Sequence, residues 1–177
     1  MNRSGRTLLL LVGLLVSPFV VASALYWSGW QPGGAPRGQL LQPPRPLPAT
    51  FPALADGRWL LVVAGAGPCA EQCEQLLDES RRIQVALYKQ MPRLSRLWLG
   101  DVAIATEARL HQRQPDLATM PASTSMPEVR QAFELNAGDR PYLIYLMDPQ
   151  GRLVLRYPAD APPGDILKDL QRLLRYG

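Results

Sequence analysis

The chain has 177 residues, among them two cysteines, one histidine and 18 prolines, with 19 basic against 15 acidic side chains. That length leaves room for one globular domain plus appendages, and a single histidine excludes a metal site built from several imidazoles and leaves a Ser/His hydrolase only His111. The surplus of positive charge lies wholly in the first 50 residues, as Arg3, Arg6, Arg37 and Arg45, so the remainder is neutral and binding of nucleic acid or another polyanion is excluded.

Residues 1–7 read as a short cytoplasmic tail and residues 8–27 as a membrane anchor. Positions 8 to 26, LLLLVGLLVSPFVVASALY, carry no charge and would make a helix ~28 Å long, matching a bilayer core of ~30 Å. Arg3 and Arg6 precede the run and Tyr26, Trp27 and Trp30 follow it, which orients the bulk of the chain outward. Pro18 is tolerated in a membrane helix. Ala22-Ser23-Ala24 also fits a signal-peptidase site, so anchor and cleaved leader remain alternatives. Both export the rest of the chain, and the expected location is a bacterial inner membrane with the C-terminal domain in the periplasm.

Residues 28–55 are rich in proline and glycine, without helical or alternating period, and read as a linker. Residues 56–177 form the globular domain. WLLVVAGAG at 59–67 predicts a strand buried on both faces, and the stretch 69–91, with Leu76, Ile83, Leu87 and Met91 near helical spacing, predicts a helix. RLWLG at 96–100 follows as a second strand, parallel to the first because a helix joins them. Residues 107–113 and 127–135 look helical, the latter with proline at its first position. PYLIYLMDPQGRLVLRYP at 141–158 predicts a hairpin around Asp-Pro-Gln-Gly, and 165–176 an amphipathic helix. This order gives an α/β class, a thioredoxin-like three-layer sandwich with a mixed central sheet between helices.

The two cysteines, Cys69 and Cys73, fall where the first buried strand meets the first long helix. Four residues apart on a helix, their Cβ atoms would lie ~5–6 Å apart, close enough for a disulfide or for one soft metal ion. Unpaired N–H groups at a helix N-terminus favour thiolate, with Cys69 expected as the more acidic thiol and Glu71 and Glu74 opposing it. A purely structural bridge is the alternative, although a loop enclosing three residues stabilises weakly.

With these residues in place the chain resembles the Sco family, membrane-tethered thioredoxin-like proteins that help mature the copper site of cytochrome c oxidase. The resemblance spans about residues 58–175 and is carried by GPCAEQC in place of the family's CPxxC, by HQRQPDLATMPASTSMPEVRQAFEL, and by DRPYLIYLMDPQGRLVLRYP. It maps the family's cysteine pair onto Cys69 and Cys73. Ala70 and Glu74 stand where the family usually has prolines, and the stretch that supplies its third copper ligand, a histidine, reads Asp139-Arg140-Pro141. The two-sulfur, one-nitrogen set suited to Cu(II) is therefore incomplete. His111 reads as a surface residue and Met120 and Met126 as loop or core filler. Arg140, a fixed positive charge beside a dithiol, favours thiolate, with an ordinary salt bridge as its alternative, and Pro141 takes the position of the cis-proline that faces the cysteines in thioredoxin-like reductases.

The resemblance thus implies a thiol-disulfide oxidoreductase acting in cytochrome c oxidase assembly. Cys69 would be the attacking thiol, Cys73 the resolving thiol, and Arg140 and Pro141 the flanking groups. No cofactor is required, and an oxidase subunit or another assembly factor is the expected partner. A Cu(I) chaperone holding the ion on Cys69 and Cys73 is one alternative, and a redox-inert assembly scaffold is the other.

Overall fold

The computed structural model describes residues 3–27, 36–122, 127–135 and 142–176. The chain divides after Pro36 into two units. The first contains helix α1 (Arg3–Trp27), 25 residues with Pro18 inside. A helix therefore forms over the expected anchor and starts five residues before it. Among the described residues no helix is long and apolar enough to cross a membrane, so the anchor expected at 8–27 is not shown.

The second unit is an α/β sandwich. Its elements are β1 (Gln39–Pro46), α2 (Thr50–Ala55), β2 (Trp59–Pro68), α3 (Glu71–Ala86), a 3-10 turn (Tyr88–Arg93), β3 (Leu94–Asp101), α4 (Ile104–Arg113), β4 (Leu117–Met120), α5 (Pro127–Ala132), β5 (Tyr142–Met147), β6 (Arg152–Pro158) and α6 (Pro163–Tyr176). The six strands form one sheet in the order β1-β6-β5-β2-β3-β4. β2, β3 and β4 run parallel, while β5 is antiparallel to both β2 and β6, and β1 is antiparallel to β6.

The apolar run of β2 supplies both faces, as a continuous hydrophobic strand should. Trp59, Leu61 and Val63 point into one core with Leu76, Leu77 and Ile83 of α3 and Ile166, Leu170 and Leu174 of α6. Leu60, Val62 and Ala64 point into the other, closed by Phe51 of α2 and by Val129 of α5 with Phe133 just beyond it. There Phe133 stacks on Phe51 at 5.4 Å and meets the Tyr145 ring edge-on at 5.1 Å, geometries that aromatic quadrupoles favour.

The structure departs from the sequence reading most clearly in the linker. Residues 39–55 are not a spacer but an edge strand and a short helix. Pro43 and Pro44 cannot donate to a ladder, and they fall within the break in register between Leu40 and Arg45 on a strand with a neighbour on one side only, the place a sheet accepts proline. The segment is fastened at its start by buried Asp169 of α6, whose Oδ2 accepts the N–H groups of Arg37 (2.8 Å) and Gly38 (3.0 Å) and the Tyr157 hydroxyl (2.8 Å). The helix expected over 69–91 is also shorter, α3 giving way after Ala86 to the 3-10 turn that contains Pro92.

Candidate functional site

The site begins with a slip in the sheet. Ala64 of β2 pairs with Leu99 of β3 and Pro68 with Asp101, so four steps along β2 match two along β3. The two extra residues lift the chain out of the ladder just before Cys69, as a bulge re-aims a strand end. Cys69 then donates its N–H to the carbonyl of Asp101 (3.0 Å), and Ala70 caps α3 without a side-chain hydrogen bond. Cys69 therefore precedes the helix, and only Cys73 lies in its first turn.

Cys69 and Cys73 form a disulfide with Cα atoms 5.2 Å apart, inside the range a bridge requires. The two sulfurs differ in access. Cys73 is fully buried among Leu76, Leu77 and Trp98, whereas Cys69 is half-buried on the edge of that core and flanked by exposed Pro68 and Ala70. A thiol arriving from solvent reaches Cys69 first.

Glu74, expected to oppose thiolate formation, is turned toward α4. Its carboxylate accepts from Arg109 at 2.6 Å and lies 3.6 Å from Arg113. Its charge is thereby largely balanced beside Cys73. Behind the disulfide, the rings of Trp98 and Tyr142 meet at 6.0 Å, and a Cβ on Gly65 would strike both while one on Gly100 would strike Trp98. Glycine at these positions lets the rings close against the backbone. The Tyr142 hydroxyl donates to the carbonyl of Pro68 (3.2 Å), one residue before Cys69.

Arg140 and Pro141 lie outside the described residues, as does Met126. His111 is exposed on α4 with its Nε2 3.9 Å from Glu107, and Met120 packs on the core that holds Phe133. Among the described residues there is no cluster of three or more His, Cys, Asp or Glu side chains suited to a metal ion. When reduced, the two sulfurs are a pair of soft donors. Sequence reasoning missed Tyr142, which it read only as part of the 141–158 hairpin, and the Glu74–Arg109 pair, whose members are 35 residues apart.

Residues 59–177 match the family described as the transmembrane-like, thioredoxin-like, C-terminal domain. No curated protein matches the chain. Similar solved structures include copper-bound ScoI of Arabidopsis thaliana, 15% identical, covering 68% of this chain and 86% of that one with a TM-score of 0.51. Another is a thiol peroxidase from Chromobacterium violaceum, 17% identical over 68% of this chain and 75% of that one, TM-score 0.50. At such identities the likeness is one of fold, and it agrees with the thioredoxin-like sandwich that the sequence predicts. The matched family covers all of β2 to α6, the disulfide included, and the chain belongs to the transmembrane-like, thioredoxin-like C-terminal-domain family.

Proposed function

We propose that this protein is a membrane-anchored, periplasm-facing thiol-disulfide oxidoreductase that exchanges electrons with a thiol protein in assembly of the cytochrome c oxidase copper site. The observation that carries the chemistry is the disulfide between half-buried Cys69 and fully buried Cys73 at the junction of β2 and α3. The oxidase-assembly part rests on the resemblance of GPCAEQC and the 141–158 hairpin to the Sco family. The anchor and compartment rest on the uncharged run at 8–26 with Arg3 and Arg6 before it.

In the reduced form, the Cys69 thiolate attacks a sulfur of the partner's disulfide and expels one partner thiolate, leaving a mixed disulfide. The Cys73 thiolate then attacks the Cys69 sulfur and releases the second partner thiolate, which takes up a proton. Two electrons pass from the Cys69/Cys73 pair to the partner, and one disulfide replaces another. Run in reverse, a partner thiolate opens the bridge at Cys69, the sulfur nearer solvent, and Cys73 is the leaving group. Arg140 completes the proposal as the fixed charge that favours thiolate and Pro141 as the other flanking group.

The same reduced pair supports a second reading as a Cu(I) carrier, because two thiolates suffice for that soft ion. One measurement separates redox exchange from a permanent bridge. Equilibration with glutathione or dithiothreitol, followed by thiol trapping, should place the couple at roughly −120 to −270 mV, the range of thiol oxidoreductases. A potential below about −300 mV marks a structural bridge and overturns the redox proposal. Reduced protein that takes up no Cu(I) against a modest competitor removes the carrier reading, and wild-type oxidase assembly in a Cys69→Ser, Cys73→Ser strain removes both.

A further inference from the structure

We infer that Tyr142 is a positioning residue for thiol exchange, holding Cys69 within bonding reach of Cys73 while the bridge is open; the inference rests on the redox reading above. Three ties hold the segment between Gly65 and α3. The disulfide is one, the Cys69 N–H to Asp101 carbonyl bond the second, and the Tyr142 hydroxyl to Pro68 carbonyl bond the third. Beyond the Gly65–Tyr142 pair the segment is the two-residue bulge at Ala66-Gly67, which has the slack and the glycine to move once the covalent tie is gone. Tyr142 is suited to act as a fixed post. Its backbone pairs with Gly65 across β2 and β5, it is 6% exposed, and its ring rests on fully buried Trp98.

The direction of the effect follows from which state gains freedom. With the bridge closed, the disulfide and the Asp101 bond restrain Cys69 whether or not Tyr142 donates. With the bridge open, loss of the Tyr142 bond releases the bulge, and the added conformational entropy favours the dithiol. Removing the hydroxyl therefore lowers the equilibrium constant for closing the ring. A hydrogen bond of ordinary strength corresponds to a change of roughly threefold to tenfold, which at about 30 mV per tenfold is a potential about 14 to 30 mV less negative.

The test is Tyr142→Phe in the full chain, equilibrated with reduced and oxidised glutathione. There the Cys69–Cys73 bridge and two glutathione thiols exchange for two cysteine thiols and one glutathione disulfide. The expected result is the shift above, with the urea midpoint lowered more in the oxidised form than in the reduced one, since a merely structural hydroxyl would lower both alike and leave the potential alone. Restoring a donor with 4-aminophenylalanine in place of Tyr142 should return the potential toward wild type. Should the phenylalanine variant not fold, 4-fluorophenylalanine at the same position removes the donor and keeps the ring. A reversible wild-type couple with a variant equilibrium constant within twofold of it, or shifted to a more negative potential, overturns this inference alone. A wild-type couple below about −300 mV instead overturns the redox reading on which it rests.

Discussion

Arg96 is the charged side chain whose loss the fold should feel most. It sits in the middle of β3, its side chain wholly buried, and its guanidinium donates to Gln114 Oε1 (2.7 Å), Gln84 Oε1 (2.9 Å), Ser80 Oγ (3.1 Å), the Leu77 carbonyl (3.2 Å) and Asp116 Oδ2 (2.9 Å). One residue of the sheet thereby fixes α3, the end of α4 and the turn into β4. Arg96→Met fills most of the same volume but donates nothing. Ser80 still has the Leu77 carbonyl and Asp116 is about half exposed, so water can serve it. The side-chain carbonyls of Gln84 and Gln114, both residues being buried, lose this donor. At about 1–3 kcal/mol for each orphaned acceptor the cost is ~2–6 kcal/mol, overlapping the ~3–5 kcal/mol seen when one partner of a buried ion pair is removed. In a domain of this size that lowers Tm by about 10 °C. Urea unfolding with the disulfide intact measures it as a lower midpoint at unchanged slope. The same variant alters acid sensitivity. Burial draws the Asp116 carboxyl upward, but the Arg96 hydrogen bond and charge outweigh it and hold the group below its ordinary 3.8. Its contribution is therefore present above pH 3.8 and lost as pH falls through the depressed folded value. Arg96→Met should abolish that part of the acid limb. A loss of less than about 1 kcal/mol, against the ~3–5 kcal/mol of a broken buried pair, would refute the assignment of Arg96 as the clamp.

Burial and then the Glu134 carboxylate push the Tyr145 phenol up to about 12, and burial with the hydrogen bond to Asp169 pushes Tyr157 higher still. Their stabilisation is complete below the unfolded value of ~10 and is lost as pH rises toward the folded values, so ultraviolet titration of the folded chain should leave both phenols protonated at pH 11; ionisation of either near pH 10 contradicts their placement. Reducing the Cys69–Cys73 bridge should lower unfolding free energy by about 2 kcal/mol or less, the chain-entropy value for so short a loop. A loss of 4 kcal/mol or more in the same urea experiment identifies a structural staple. Arg109→Ala leaves Glu74 with Arg113 alone and should slow iodoacetamide alkylation of the reduced pair at neutral pH, by no more than about fivefold because the ion pair is surface-exposed. Faster alkylation would show that Glu74 does not act on the thiols.

What the sequence revealed was whatever a short window contains. The nine-residue apolar run of β2, the helix face of α6 and the hairpin of β5 and β6 are each local patterns. Asp148-Pro149-Gln150-Gly151 turns as its residues dictate, with Asp148 Oδ1 accepting the N–H groups of Gln150 (3.0 Å) and Arg152 (2.9 Å) and Gly151 at φ +82°. β4, only four residues long, has too few positions to show a period. β1 was hidden because proline weighs against a strand, and only its seat at the sheet edge, beside β6, makes the prolines harmless.

The site divides along the same line. Its disulfide was legible because the chain has two cysteines and the helix that follows them announces itself. The groups that position those atoms were not, because each acts over a long sequence separation. Tyr142 reaches Pro68 across 74 residues, and Asp169 holds Gly38 across 131. Both ties depend on strand order. β6 is antiparallel to β5 and β5 to β2, so β6 runs with β2, and the start of β1, paired with the end of β6, lies at the same end of the sheet as Cys69. The buried carboxylate that fastens the domain's first residues and the hydroxyl that donates to Pro68 therefore brace one end of one sheet, the end where β2 slips its register. The proposed opening and reclosing of the bond at that place needs slack confined to a few residues. The braces on either side confine it to Ala66-Gly67.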